Sequence, residues 1–170
     1  MMQQQAIIRR MVVADIDAVV RVYADVVDSS YISFSELSEG KAEAVSKLSS
    51  SAPAIFREQV TSLLHSPQHG FFVATVDNEL VGFALASLRR AEAGHTECWL
   101  DDLGVSHQWR RQGIAKALTS QVFNWGAKEN AAYYLLESGV RKESAHHFFE
   151  SLGFQPLSIV FWRGGRDEAQ

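Results

Sequence analysis

Two apolar runs, Phe71–Val76 and Leu80–Leu88, separated only by Asp77-Asn78-Glu79, constrain this chain most. Runs of Phe, Val, Ala and Leu this continuous belong in the middle of a sheet, and Asp-Asn between them reads as a tight hairpin turn. A third run, Glu97–Val105, follows a turn at Glu92–His95, so the middle of the chain reads as an antiparallel meander. The faces of such a sheet must be covered, and on both sides of it the apolar period changes from two to the helical one. Upstream, Ile16, Val19, Val20, Tyr23, Val26 and Val27 predict an amphipathic helix over 16–27 with Asp15 as its cap. Pro53 then opens a second helix whose stripe is Phe56, Val60, Leu63 and Leu64. Downstream, Ile114, Leu118, Val122 and Trp125 predict a third helix, and Lys142–Leu152 a short fourth one stopped by Gly153.

Ala6–Val13, Ala132–Val140 and Phe154–Trp162 complete the strands, giving the order β-α-α-β-β-β-α-β-α-β. This predicts an α+β fold: a central, mostly antiparallel twisted sheet of roughly six or seven strands flanked by about four helices. Asp28–Ser51, rich in Ser, Glu and Lys, reads as a long loop or lid with one helical turn, and Gly164–Gln170 as a frayed tail. The 170 residues suit one domain spanning the whole chain.

Composition narrows the function. A formal charge of −4 leaves no concentrated basic face for nucleic acid, and mild acidity suits cationic substrates. Cys98 is the only cysteine, so no internal disulfide forms. No apolar run approaches the roughly 20 residues that cross a bilayer, and MMQQQAIIRR is unlike a signal peptide, so a cytoplasmic protein without membrane contact is expected. The histidines show no metal-ligand spacing, and no metal site is predicted.

The chemistry lies in Trp99-Leu-Asp-Asp-Leu-Gly-Val105, then Ser-His-Gln-Trp, then Arg110-Arg-Gln-Gly-Ile-Ala115. A buried strand feeds a short basic loop that opens onto a helix. Unpaired N–H groups and the positive end of the helix dipole then converge on one point, a setting for a pyrophosphate. Gly113 lets backbone approach the anion, Ala115 keeps the next contact small, and Arg110 and Arg111 add charge. Gly-Lys-[Ser/Thr] and G-x-G-x-x-G are both missing, which removes the Walker and dinucleotide readings.

The stretch Trp99–Ala115 resembles the acetyl-CoA-binding segment of the GNAT superfamily, a D-L-x-V-like strand followed by R-x-x-G-x-[G/A]. Ser144-Ala-His-His-Phe-Phe-Glu-Ser-Leu-Gly-Phe154 resembles that family's second signature, A-x-x-F-Y-x-x-x-G-F. The resemblance implies a GNAT-like fold along nearly the whole chain and acetyl-CoA as co-substrate. It further implies that Arg110, Arg111, Gln112, Gly113, Ile114 and Ala115 hold the pyrophosphate, and that Leu103, Gly104 and Val105 pair with pantetheine. The Leu103 amide would polarise the thioester carbonyl, a contribution of ~3–4 kcal/mol for such a donor.

An amine must lose a proton before it attacks, and Glu97, Asp101 and Asp102 are the acidic groups on the strand. Strand alternation puts Glu97 and Asp101 on one face and Asp102 on the other. Asp101 matches the acidic position of some polyamine-acetylating relatives and ranks first, Glu97 second, with Asp102 structural. The second signature departs from the family at Phe149, where many members carry the tyrosine that protonates the thiolate, and at Lys142, where asparagine is common; both positions line the cofactor. His146 shares a helix face with these two and is the candidate substitute acid, ahead of Tyr133 and Tyr134. A CoA thiol, with pKa ~8.5, leaves as thiolate at modest cost even without an acid.

The expected reaction is acetyl transfer to a primary amine of a small cationic acceptor. Glu36, Glu39, Glu43, Glu92 and Asp101 would make the cleft attractive to polyamines, aminoglycosides, amino acids or protein amines alike. The alternative is an acyl-CoA-binding sensor that has lost catalysis, motivated by Phe149; O- or S-acyl transfer keeps the cofactor and changes the acceptor. Ile159-Val-Phe-Trp162 either fills the core or pairs across a homodimer, with core packing favoured.

Overall fold

A computed structural model describes residues 5–164. In chain order the elements are β1 (Ile7–Arg10), α1 (Ile16–Val26), α2 (Phe34–Ser38), β2 (Ala42–Ala44), β3 (Lys47–Leu48) and α3 (Ala52–Leu63). They continue as β4 (His69–Val76), β5 (Glu79–Arg90), β6 (Thr96–Val105), α4 (Ile114–Lys128), β7 (Ala131–Leu136) and α5 (Glu143–Ser151). One sheet runs β1-β4-β5-β6-β7, and β2 pairs with β3 in a separate two-stranded ribbon. All neighbours in the main sheet are antiparallel except β6 and β7, which run parallel.

The hairpin that dominates the sequence forms as β4–β5. Asp77 (φ 48°) and Asn78 (φ 67°) both adopt the left-handed conformation whose twist matches that of the flanking strands. Period-two alternation then divides the core. Phe71, Val73, Phe83 and Leu85 face α1 and α3, against Val19, Tyr23, Phe56 and Val60. Phe72, Ala74, Ala84 and Ala86 face α4, against Leu118, Val122 and Trp125. Tyr23 and Phe56 stack with centroids 4.0 Å apart, locking α1 to α3 over the sheet.

Several expectations need correction. Asp15 does not cap α1: its carboxylate accepts from the Val12 N–H at 2.9 Å and pairs with Arg9 at 2.7 Å, winding a 3-10 turn ahead of the helix. The segment 28–51 is more ordered than a lid, carrying a 3-10 turn at Ser29–Tyr31, then α2 and the β2–β3 ribbon. The cause is local, since Ser33 and Glu36 form a capping box: both Ser33 N and Ser33 Oγ donate to Glu36 Oε2 at 2.7 Å. The central sheet has five strands, since Phe154–Trp162 forms none, and two more strands stand apart as the β2–β3 ribbon; β7 stops at Leu136, short of the expected Val140.

The last segment has strand-like composition but no ladder partner among the described residues, and Pro156 removes a donor near its start. Nor does it fill the core, for Leu157, Ile159, Val160, Phe161 and Trp162 are all exposed. Of the expected frayed tail, residues 165–170 lie outside the described residues. Among the described residues, no helix is long and apolar enough to cross a membrane.

Candidate functional site

The parallel register of β6 and β7 runs from Thr96↔Ala131 to Leu100↔Leu136 and stops there. β6 continues to Val105, still paired with β5 on its other side through Val105↔Gly82. Among the described residues, Asp101–Val105 thus presents an edge with no strand partner where β6 and β7 part within the sheet. An extended ligand can add to such an edge as a strand would.

Past this edge the chain makes a 3-10 turn at His107–Trp109, then passes through left-handed Arg111 (φ 61°) and Gly113 (φ 80°) into α4. Among the described residues, no side chain caps α4, and a Cβ at Gly113 would meet nothing within 4 Å. Open space therefore coincides with the free N–H groups and positive dipole of a 15-residue helix. Arg110 Nε donates to Val105 O at 3.1 Å, which ties the basic loop to the end of β6. Arg111 and Gln112 are exposed, while Ile114 is buried in the core and Ala115 half-buried. An open strand edge leading to an uncapped helix start fits an extended ligand that ends in a pyrophosphate.

The acidic residues stand at a β-bulge. The β5 partners step from Leu85↔Asp102 to Ala86↔Leu100, leaving Asp101 as the extra residue. This overturns the expected alternation. Cys98, Leu100 and Val105 pack on the α4 side, whereas Asp101 and Asp102 both line the same two cavities on the opposite face. The first cavity, about 140 Å³, lies at the mouth of the β6/β7 splay and is lined by Leu103, Glu137, Gly139, Lys142, Phe149 and Tyr31 among others. The second, about 330 Å³, extends towards α3 along Gln59, Val60, Leu63, His69 and Phe71. Glu39, Lys41, Arg89, Asp101 and Asp102 are common to both.

The three carboxylates of β6 differ in their surroundings. Glu97 lines neither cavity. It accepts from Trp99 Nε1 at 2.9 Å, a bond that pulls its pKa below the ordinary value, and its other oxygen lies 3.3 Å from His95 Nε2. Asp101 accepts from Arg89 at 2.7 Å; burial raises its pKa, opposed by Ser87 and Arg89. Arg89 is itself stacked on Trp99, 4.2 Å from the ring centroid.

Asp102, expected to be structural, is buried at 7% exposure. Its Oδ1 accepts from the Tyr31 hydroxyl at 2.8 Å, and its Oδ2 lies 3.8 Å from Lys41 Nζ. Burial pushes its pKa up to about 7, against the opposing pull of Lys41 and Tyr31. Lys41 is itself only 2% exposed and makes a 2.8 Å ion pair with Glu39.

Lys142 and Phe149 reach the first cavity. Lys142 Nζ lies 3.7 Å from Asp28 Oδ2 and 5.1 Å from the Tyr31 ring centroid, and burial lowers its pKa. His146 does not line the cavity; its Nε2 is 3.0 Å from Gly139 O. The other candidate acids also point elsewhere: Tyr134 donates to Phe123 O at 2.9 Å, and Tyr133 is exposed beside His95. The geometry therefore does not bring the expected substitute acid to the cavity. It brings instead Tyr31, Lys41 and Glu137, which sequence reasoning did not select. Glu137 accepts from Ser35 Oγ at 2.7 Å and Ser35 N at 3.2 Å, joining β7's end to α2.

The family model described as "Acetyltransferase (GNAT) family" matches residues 35–154. The chain is 33% identical over 102 residues to the probable N-acetyltransferase family 8 member 5 of Mus musculus, covering 55% of this chain and 45% of that protein. It thus spans about half the length of the curated mammalian relatives it matches. An aminoglycoside N(6')-acetyltransferase type 1 of Serratia marcescens is 27% identical over 120 residues, 67% of this chain and 82% of that one. Among solved structures, an aminoglycoside N-acetyltransferase in complex with CoA superposes with a TM-score of 0.70 at 18% identity, covering 95% of this chain and 96% of the other. Fold and site thus define an α+β domain whose central sheet splays between β6 and β7. The chain belongs to the GNAT acetyltransferase family.

Proposed function

We propose that the chain transfers an acetyl group from acetyl-CoA to a primary amine by direct attack on the thioester. The observation that carries this reading is the open edge Asp101–Val105 running into the left-handed, uncapped start of α4 at Gly113. Main-chain N–H groups of Gly113, Ile114 and Ala115, with Arg110, Arg111 and Gln112 around them, hold the pyrophosphate. Leu103, Gly104 and Val105 pair with the pantetheine arm, and the Leu103 N–H polarises the thioester carbonyl. When bound, acetyl-CoA supplies the activated acetyl group and a thiolate leaving group. Lys142, at the same cavity as Phe149, places a cation near the departing sulfur. The acceptor enters from the side of Arg89, Asp101 and α3. The acidic groups there and the aminoglycoside acetyltransferases among the relatives support a small amine.

The test is calorimetric titration with acetyl-CoA of the wild-type protein and of Gly113→Asp. Micromolar binding that the variant loses is expected, since a carboxylate at Gly113 would occupy the open space and repel the phosphates. A folded wild-type protein that binds no acetyl-CoA overturns the reading. Phe149 favours one second reading, an acyl-CoA sensor: binding with no CoA release across a broad amine panel would select it.

A further inference from the structure

The buried polar cluster behind the cleft is more elaborate than packing requires. Tyr31 from the 3-10 turn at 29–31 donates to Asp102 at 2.8 Å. Lys41, preceding the β2–β3 ribbon, stands 3.8 Å from the same carboxylate and is held by Glu39 at 2.8 Å. From α1 comes the Tyr23 hydroxyl, buried with no hydrogen-bond partner among the described residues; burial raises its pKa, and the fields of Asp102, Glu36 and Glu39 add to the rise. Glu36 of α2 and Asp101 on β6 add further negative charge, and Arg89 of β5 neutralises Asp101. Side chains from the stretch between Tyr23 and Lys41, some sixty to eighty residues away in sequence, thus converge on one carboxylate that stands where two cavities meet.

We infer that Asp102 is the group that receives the acceptor's proton, with Tyr31 and Lys41 as its positioning residues, a role that rests on the acetyl-transfer reading above. Asp101 is less suited, because taking a proton would break its 2.7 Å charge-assisted bond to an arginine that stays protonated at any working pH. Glu97 is outside both cavities. Asp102 has one oxygen fixed by Tyr31, while its other oxygen, beyond hydrogen-bond range of Lys41, is the free acceptor.

Three protons on the ammonium become one on the product amide. The first passes to Asp102 Oδ2 and frees the nitrogen lone pair, which forms the C–N bond at the thioester carbon. As the C–S bond breaks with its electron pair on sulfur, the second proton leaves the nitrogen for the thiolate. Asp102 then returns its proton to solvent. Burial serves this step directly. A carboxyl at its ordinary 3.8 is a poor partner for an ammonium, and at about 7 the transfer equilibrium improves by about three powers of ten. Lys41 and Tyr31 limit the rise, so that about half of Asp102 is ionised at neutral pH.

The experiment compares CoA release from acetyl-CoA with two probes: n-butylamine, an ammonium at neutral pH, and hydroxylamine, which is largely neutral there. In Asp102→Asn the butylamine-to-hydroxylamine rate ratio should fall by about 10²-fold or more, because only butylamine needs the proton acceptor. Calorimetry on the same variant should show retained acetyl-CoA binding; lost binding by the wild type would instead overturn the acetyl-transfer reading itself. A second readout needs no turnover. In the ligand-free protein with carboxyl-13C-labelled aspartate, one carbon should titrate near 7, vanish in Asp102→Asn and move up in Tyr31→Phe, which removes the donor to the charged form. The proposal is overturned by an unchanged rate ratio in folded Asp102→Asn. It is equally overturned by an Asp102 carbon that titrates in the ordinary carboxylate range, or by a wild-type protein that binds acetyl-CoA and consumes neither amine.

Discussion

Gly139 tests whether the loop after β7 positions the site. A Cβ added there would fall inside the van der Waals shell of Ser30 O and lie 2.7 Å from Ile32 O, both backbone atoms flanking Tyr31. A relaxed C···O contact needs roughly 3.3 Å, so Gly139→Ala must separate the two segments by about 0.6 Å at Ile32 O and by more at Ser30 O. Neither side yields freely. Arg141 donates to Ser29 O at 2.8 Å and to Val45 O, and Lys142 approaches Asp28, clasping the same segment to the same loop. If the Ser30–Ile32 segment moves, the 2.8 Å bond from Tyr31 to Asp102 stretches towards 3.4 Å, outside the range of an O–H···O bond.

Overpacking costs ~1–3 kcal/mol and a lost bond to a charged group ~1.5–3, against ~0.4–1 gained by stiffening the unfolded chain. We expect a net loss of about 3 kcal/mol in urea unfolding at pH 8, where Asp102 is mostly ionised. The same substitution made in Tyr31→Phe should cost at least ~1 kcal/mol less, because the coupled bond is already gone. An unaltered unfolding midpoint, or full additivity of the two substitutions, would refute the reasoning.

Two further measurements follow. Because the folded-state pKa of Asp102 is raised from 3.8 to about 7, the native state binds the proton more tightly than the unfolded chain. Its contribution to stability is present below the unfolded value and is lost as pH rises through about 7, a change of up to ~4 kcal/mol. Urea titrations at stepped pH should show this decline, and Asp102→Asn should flatten it; an identical slope in the variant would sink the assignment. Cys98 is 1% exposed and burial pushes its thiol up to about 12. Thiol reagents at pH 8 should therefore label it only as fast as the protein opens, and rapid labelling of the native state would contradict its placement under α4.

The fold was largely legible because its decisive signals are local. The turn at Asp77-Asn78, the stripes of α1, α3 and α4, and the strand–loop–helix around Gly113 each reside within about a dozen residues and carry their own period. What escaped depends on partners. Phe154–Trp162 has the composition of a strand, yet composition cannot supply the neighbouring ladder that a strand requires. Period-two alternation puts Asp102 on the wrong face because it assumes an unbroken ladder, and the bulge at Asp101 is a property of the β5–β6 pair, not of either strand. Tyr31 and Lys41 left no periodic trace, since their partner is some sixty to seventy residues away in sequence. One signal for their segment was present: Ser33-Phe-Ser-Glu36 is a capping-box pattern, and it marks the helix that anchors this stretch beside β7.

The bulge also explains why the two halves of the site occur together. An extra residue at Asp101 bends β6 and increases its local twist just where pairing with β7 ends at Leu100↔Leu136. The bend helps to leave Asp101–Val105 as a free edge, and the same extra residue turns Asp102 off the α4 side into the cleft. Edge and carboxylate are therefore not independent features. Deleting Asp101 would make Leu100↔Ala86 and Asp102↔Leu85 consecutive pairs of a regular ladder and remove the extra residue that bends β6 where β7 departs. A single backbone irregularity sets the ligand-pairing edge and the buried acid in fixed relation. That relation is what a reaction needs when the donor must lie along one strand and the acceptor's proton must leave across its face.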